Sequence, residues 1–542
     1  MDWFVADGYW LARLVFQRGL AVVYLVAFVA ALRQFRGLLG EHGLLPVPEF
    51  LGQVPFRRSP SLFHWHYSDR LYAAVSWAGA ALASGVVVGL ADRVPWWVAT
   101  VWWLVLWALY LSIVNVGQRW YGFGWESLLL EVGFLAAFTG NAHTDPPLLL
   151  LVLLRWVLFR LEFGAGLIKL RGDRCWRDLT CLYYHHETQP MPGPLSWWFH
   201  HLPRPLHRME VAANHVTQLV LPFGLFLPQP VSGVCAGAMV LTQLWLVLSG
   251  NFAWLNWMAV VLGLSVLPDG FWTAVLPVSG HPPVGAPLAW VVVVCVVTAL
   301  VVALSWRPAG NLLSRHQAMN AHFDPLHLVN TYGAFGSVTR ERHEVVIEGT
   351  SDPAGGPGWL EYGFKGKPGD VGRLPRQFAP YHLRLDWLMW FAPLSPSYSR
   401  GWFPRLLVKL LEGDPATLKL LRHNPFPGAP PTVIRARLYR YRFTTRAEKH
   451  ATGAWWHREL VGEFAGPVSL PPQVSTQMER NLQAGRRRHR VSQRRPRVGE
   501  ANTVSHRWRS IVTKTSRKAP RATQSSAEPI ACTTGSESAS PR

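Results

Sequence analysis

Residues 288–306 read Leu-Ala-Trp-Val-Val-Val-Val-Cys-Val-Val-Thr-Ala-Leu-Val-Val-Ala-Leu-Ser-Trp, nineteen positions without a charge. A bilayer core about 30 Å thick is crossed by about twenty apolar residues in helical form. This stretch therefore predicts a transmembrane helix, and the chain changes character on either side of it. Upstream, residues 71–90 and 95–115 are the clearest further spans, the second opening on Trp96 and Trp97 as an interfacial aromatic belt does. Residues 14–32, 127–140, 148–170, 215–227, 231–248 and 252–267 are shorter or interrupted. Together they predict about nine spans over residues 1–309.

Downstream the apolar runs give way to short alternating ones. Residues 344–348 and 432–443 carry strand-like patterning, with Pro and Gly about every ten residues. A compact, mostly β domain is expected over 310–470, with a short helix within 402–421. Residues 471–542 form a Ser/Thr/Pro-rich end with few aliphatic residues, which reads as a disordered tail. The predicted fold class is thus integral membrane: a multi-span α-helical bundle, a mostly β C-terminal domain and a disordered tail.

Composition agrees with a membrane part joined to a polar part. Of 542 residues, 49% are hydrophobic and only 16% charged, against roughly 25% charged in soluble domains. Lys and Arg number 53 against 32 Asp and Glu, a net charge of +21. The tail alone holds fifteen Lys/Arg against four acids, so the basic balance does not argue for a nucleic-acid partner. The bilayer is the expected one. Residues 1–10 carry Asp2 and Asp7 and no basic cluster, so the first span is expected to stay attached rather than serve as a cleaved signal. Basic residues cluster in 33–70, in 171–208 and after Trp306. On a nine-span count these share one side, which the positive-inside rule makes cytoplasmic.

Ionisable residues within apolar spans are expensive and mark the first places to look for chemistry. The 148–170 segment holds Arg155, Arg160, Glu162 and Lys169. Arg155, Glu162 and Lys169 fall seven apart on one helical stripe, and Glu131 on the preceding span is a partner for this segment. Two uses are open: an interhelical ion-pair ladder that fixes packing, or a polar cavity in which Lys169 or Glu162 accepts a proton.

The long loop that follows, within 171–214, carries Cys175, Trp176, Cys181, Tyr184, His185, His186, Glu187, Trp197 and Trp198. Its Trp/Tyr/His/Pro mixture predicts a structured loop on the membrane surface, either structural or client-binding. Cys175 and Cys181 are six apart, whereas zinc sites pair cysteines two to four apart, so no metal and no cofactor is expected. The two form a local disulfide if the loop faces an oxidising compartment, or are otherwise two packed thiols. His200, His201 and His207 read as interfacial residues without a ligand role. The chain has no phosphate-binding Gly-rich loop with Lys-Ser/Thr, no His-Glu-x-x-His and no Gly-x-Ser-x-Gly.

Several strings together resemble the lipase maturation factor family. They are Tyr121-Gly122-Phe123-Gly124-Trp125-Glu126-Ser127-Leu128, Gly164-Ala165-Gly166-Leu167-Ile168-Lys169-Leu170-Arg171-Gly172-Asp173, and Cys175-Trp176-Arg177-Asp178-Leu179-Thr180-Cys181 running on to Glu187-Thr188-Gln189-Pro190-Met191-Pro192. Asn251-Phe252 with Trp254-Leu255-Asn256-Trp257, Pro380-Tyr381 with Arg384-Leu385-Asp386-Trp387, and Asn424-Pro425-Phe426-Pro427 continue the match, which runs from about 60 to about 470. The resemblance implies a multi-span endoplasmic reticulum membrane protein that assists secreted lipases to fold and assemble, a chaperone role without a defined reaction. On that role the loop and the C-terminal domain are expected to face away from the cytosol, against the charge distribution. The high Arg, Ala, Gly, Val and Pro content points to a GC-rich genome such as a bacterium's, for which the membrane would be the cell membrane. Where the family tends to carry a cysteine, Gly366 stands in Tyr362-Gly363-Phe364-Lys365-Gly366-Lys367-Pro368-Gly369, which argues against a redox role there. A shorter likeness, Ala165-Gly166-Leu167-Ile168-Lys169-Leu170, is similar to a stretch of vitamin K-dependent gamma-carboxylases in which the second lysine of a pair acts as base. Lys169 falls on that position and Ile168 replaces the other lysine, so the alternative is an integral-membrane enzyme using Lys169.

Overall fold

The first long helix, Trp10–Leu38, begins on backbone N–H groups that no helical carbonyl can reach. Asp269 supplies the acceptor from 259 residues away: its carboxylate takes Trp10 N at 3.0 Å, Leu11 N at 2.8 Å and Ala12 N at 3.3 Å. A negative side chain at a helix N-terminus also complements the macrodipole. The next span, Asp69–Val87, is started by Ser68, whose hydroxyl accepts from Leu71 N at 3.1 Å. These contacts come from a computed structural model, which describes residues 3–277, 285–354, 356 and 358–471. The tail expected to be disordered from 471 on lies, from 472, outside the described residues.

Among the described residues, five helices are long and apolar enough to cross a membrane: Trp10–Leu38, Asp69–Val87, Trp96–Val116, Val231–Ser249 and Leu288–Leu313. Leu255–Leu264 and Asp269–Val275, bent by 104°, make a sixth if they are one broken span. The difference from the nine predicted segments has three causes. Residues 127–140 fold as Gly124–Ala136, thirteen residues and too short. Residues 148–170 fold as the 24-residue helix Leu148–Arg171, long enough but carrying five ionisable groups. Residues 215–227 straddle a break: Arg204–Leu219 ends there and Pro222 sits in the short turn Leu221–Gly224.

Helices pack closely where glycine removes a side chain. A Cβ on Gly133 would collide with the Tyr24 hydroxyl, which donates to Leu129 O at 3.0 Å. The last span turns Leu288, Val292, Val296 and Val302 outward, as a helix facing lipid does.

By its internal contacts the chain divides into two units: Met1–Arg342 with Leu374–Trp387, and His343–Arg373 with the described residues from Leu388 on. In the first, a short ladder pairs β1 (Ala321–His322) with β2 (Asn330–Thr331). The second is built on a four-stranded sheet in the order β4-β3-β5-β6, where β3 is Arg342–Thr350, β4 Leu360–Glu361, β5 Val433–Phe443 and β6 Trp456–Val468. β3 pairs β4 and β5 pairs β6 antiparallel. Both strands predicted from alternation are present. The helix expected within 402–421 runs Trp402–Leu411 and buries Trp402, Leu406 and Leu410 on one face.

Candidate functional site

Three polar clusters lie inside the first unit, each joining residues far apart in sequence. The Glu131–Arg160 ion pair is fully buried. Glu131 also accepts from Tyr332 Oη at 2.6 Å and Asn330 N at 2.9 Å, while Arg160 reaches the Asn330 carbonyl. Glu131 thus pairs with Arg160 and not with the predicted stripe. The stripe residues face different partners. Arg155 donates to Leu225 O and Tyr9 Oη, both at 3.1 Å. Glu162 accepts from Gln243 Nε2 at 2.6 Å and Gln218 Nε2 at 3.1 Å. Lys169 donates to Asn214 Oδ1 at 2.8 Å and Gln218 Oε1 at 2.9 Å, and lies 4.8 Å over the Trp176 ring. Gln218 therefore bridges Lys169 to Glu162, and Asn256 extends the chain through Gln243 at 2.6 Å. Each charge meets amides or a counter-ion, the arrangement that buried polar groups need to be tolerated.

The second cluster is the loop. In the structure Cys175 and Cys181 are joined as a disulfide, and so joined neither sulfur offers a thiolate to a metal. Asp173 begins the turn by accepting from Cys175 N, and Trp176 donates to Phe335 O at 2.8 Å. Trp176, His185, His186 and Trp197 are buried, whereas Trp198 is 46% exposed. Tyr184 lies under the Arg340 guanidinium, and Glu187 is 3.7 Å from His200. Burial, then Lys169, pushes the His185 pKa down to about 3. Burial, then the neighbouring histidines, pushes that of His200 down to about 4. His200 is accordingly neutral at pH 7 and meets Glu187 as a dipole. Arg342 closes the loop by donating to the carbonyls of Glu187, Gln189 and Pro190.

The third cluster escaped the sequence reading as a site. Arg384 Nη1 donates to Glu126 Oε1 at 2.7 Å and to Trp120 O at 2.6 Å, and its guanidinium carbon lies 3.4 Å over Tyr121. Glu126 also takes Tyr110 Oη at 2.5 Å and faces His382 Nδ1 at 3.5 Å. All four side chains are fully buried. Burial and then Arg384 push the His382 pKa down to about 4 against the pull of Glu126. Nearby, Asn251 Oδ1 accepts from Phe378 N at 2.6 Å and Ala379 N at 2.8 Å, and Trp254 Nε1 donates to Trp125 O at 3.0 Å. A glutamate opening an apolar helix was the available signal; its partner 258 residues on gave none.

The strings Gly124-Trp125-Glu126-Ser127, Asn251-Phe252 with Trp254, and Pro380-Tyr381 with Arg384 thus meet at one place. The profile described as lipase maturation factor transmembrane domain matches residues 11–274, and that described as lipase maturation factor C-terminal domain matches 328–466. The chain belongs to the lipase maturation factor family. Lipase maturation factor 1 of Mus musculus is 40% identical over 510 residues, covering 85% of this chain and 88% of the relative. The Homo sapiens protein of that name is 40% identical over 509 residues with the same coverage. Lipase maturation factor 2 of Homo sapiens is 30% identical over 602 residues, covering 85% and 83%. No solved structure matches the chain. With its apolar helices, this member of the family is an integral membrane protein, and nothing favours the carboxylase alternative.

Proposed function

We propose that the protein is a membrane-embedded maturation factor that assists a secreted lipase to fold and assemble, with the disulfide loop on the non-cytosolic side. The observation that carries the role is the 40% identity to lipase maturation factor 1 over 85% of the chain. Arg155, Arg160, Glu162, Lys169 and Glu131 then act as scaffold, positioning the loop above the helices. Trp198, with Leu195 and Met209 also exposed, offers apolar surface to a client. Large aromatic side chains suit such a surface because they bury area at low entropic cost.

The orientation rests on the Cys175–Cys181 bond, because disulfides persist in oxidising compartments and not in the cytosol. It outweighs the positive charge of the loop, since the positive-inside rule counts short loops and weakens for long ones. In a eukaryote the compartment is the endoplasmic reticulum lumen; in a bacterium it is the far side of the cell membrane. Deleting the gene should lower the activity per secreted lipase molecule without lowering lipase mRNA. Unchanged activity per molecule rejects the role. A glycosylation acceptor placed at the exposed Arg177 and modified only in the lumen tests the orientation; an unmodified acceptor rejects it.

A further inference from the structure

His186 sits on the helix Leu182–Thr188 and is 1% exposed, yet neither of its ring nitrogens has a hydrogen-bond partner among the described residues. A buried polar side chain without a partner calls for an ordered water or an ion. His207 and Glu210 lie one turn apart on the facing helix Arg204–Leu219, so both project from one face. One ring nitrogen from each histidine and one carboxylate oxygen of Glu210 lie within 4.8 Å of one another.

We propose that His186, His207 and Glu210 bind a divalent transition-metal ion of the zinc class. Two imidazoles and one carboxylate make a three-ligand set that zinc accepts, with a fourth position open to water. Calcium and magnesium prefer oxygen cages, and the loop's sulfurs are tied up in the disulfide. Metal–ligand bonds of about 2.0–2.2 Å require the three groups to close by a fraction of an ångström each.

The groups behind the ligands are arranged for this role. Ligating histidines usually donate their other N–H to a carbonyl, and ligating carboxylates are themselves hydrogen-bonded. His207 Nε2 lies 3.3 Å from His200 O, while its Nδ1 has no partner among the described residues. Trp245 Nε1 donates to Glu210 Oε1 at 2.9 Å, leaving the second oxygen for the ion. The ion would tie the helix after the disulfide to the helix that follows the loop, closing residues 189–203 between two fixed points. His207 and Glu210 are three positions apart, but His186 lies 21 positions before His207, so the full set has no compact spacing in the sequence. The sequence therefore predicts no metal and leaves His207 at the interface. This site is independent of the maturation role.

The test uses the full chain in mild detergent, purified through a tag without histidine and dialysed against Zn2+ with a weak competing chelator. Elemental mass spectrometry should find about one zinc per chain, falling at least about fivefold in His207→Ala and Glu210→Gln and unchanged in the exposed His316→Ala. X-ray absorption at the zinc edge of the wild type should show nitrogen and oxygen neighbours and no sulfur, a readout that does not depend on any variant folding. Substoichiometric zinc in the wild type, sulfur neighbours, or full retention in both ligand variants overturns the site.

Discussion

Replacing Arg384 by methionine should destabilise the first unit by about 4 kcal/mol, within the 3–5 kcal/mol typical of a buried ion pair broken on one side. Arg384 gives up hydrogen bonds of 2.7 and 2.6 Å to Glu126 and Trp120, each worth about 1.5–3 kcal/mol when one partner is charged. Methionine refills part of the volume, and Tyr110 still donates to the carboxylate at 2.5 Å, so the full sum is not lost. His382, 3.5 Å from Glu126, is freed from the repulsion of Arg384 and can take up a proton. The deficit should therefore narrow at about pH 5.5 relative to about pH 8. Denaturant unfolding in mild detergent, followed by tryptophan fluorescence, measures the wild type, Arg384→Met, Glu126→Gln and the double variant. Because neutralising both partners is cheaper than neutralising one, the cycle should return a coupling of about 2–3 kcal/mol. A double variant whose loss equals the sum of the singles within about 0.5 kcal/mol would refute the view that this pair holds the unit together.

Burial holds the folded His382 pKa at about 4 against an ordinary value of 6.5, so between those values the unfolded chain binds the extra proton. Stability should be flat above about pH 6.5 and fall by up to about 3 kcal/mol as the pH drops to 4; His382→Gln should show a shallower acid limb, and an identical slope counts against it. Opening the Cys175–Cys181 loop by Cys175→Ser should cost about 2 kcal/mol, with reductant bringing the wild-type melting temperature down to that of the variant; no effect of reductant would show that the bond is absent. Gly133→Ala forces a methyl group onto the Tyr24 hydroxyl and should cost about 1–3 kcal/mol, a loss that Tyr24→Phe in the same chain should partly restore. Lys169→Met should lower stability through the unpaired Asn214 and Gln218 oxygens while leaving the activity per secreted molecule of a co-expressed client lipase unchanged; loss of that activity with a fully folded variant would refute a purely scaffolding Lys169.

The spans at 71–90, 95–115 and 288–306 were legible because the bilayer sets a length and a polarity that twenty residues must satisfy on their own. The strand at 432–443 was legible from alternation. The 127–140 segment misled because hydropathy cannot distinguish a helix facing lipid from one buried by protein, and Gly124–Ala136 is of the second kind; 215–227 misled because its apolar run is broken at Pro222. Arg160, Glu162 and Lys169 announced themselves as charges in apolar surroundings, but their partners did not. Gln218, Gln243 and Asn214 are ordinary polar residues until the helices meet. Glu126 and Arg384 illustrate the same limit, since an ion pair closed across 258 residues leaves no local periodicity.

The segment Leu374–Trp387 belongs to the first unit although residues 343–373 come between. Glu126 and the Asn251 amide face it, and so does Gln34, whose Oε1 accepts from Arg384 N at 3.0 Å. A ribosome that has finished the last apolar helix has therefore not yet supplied the pieces that quench these groups. At about 5–20 residues per second, synthesis from Leu313, where that helix ends, to Arg384 takes roughly four to fourteen seconds. Throughout that interval the nascent bundle carries an unneutralised carboxylate in its interior. Premature termination in this window should yield a chain already inserted in lipid and still recognisable to quality control as unfinished.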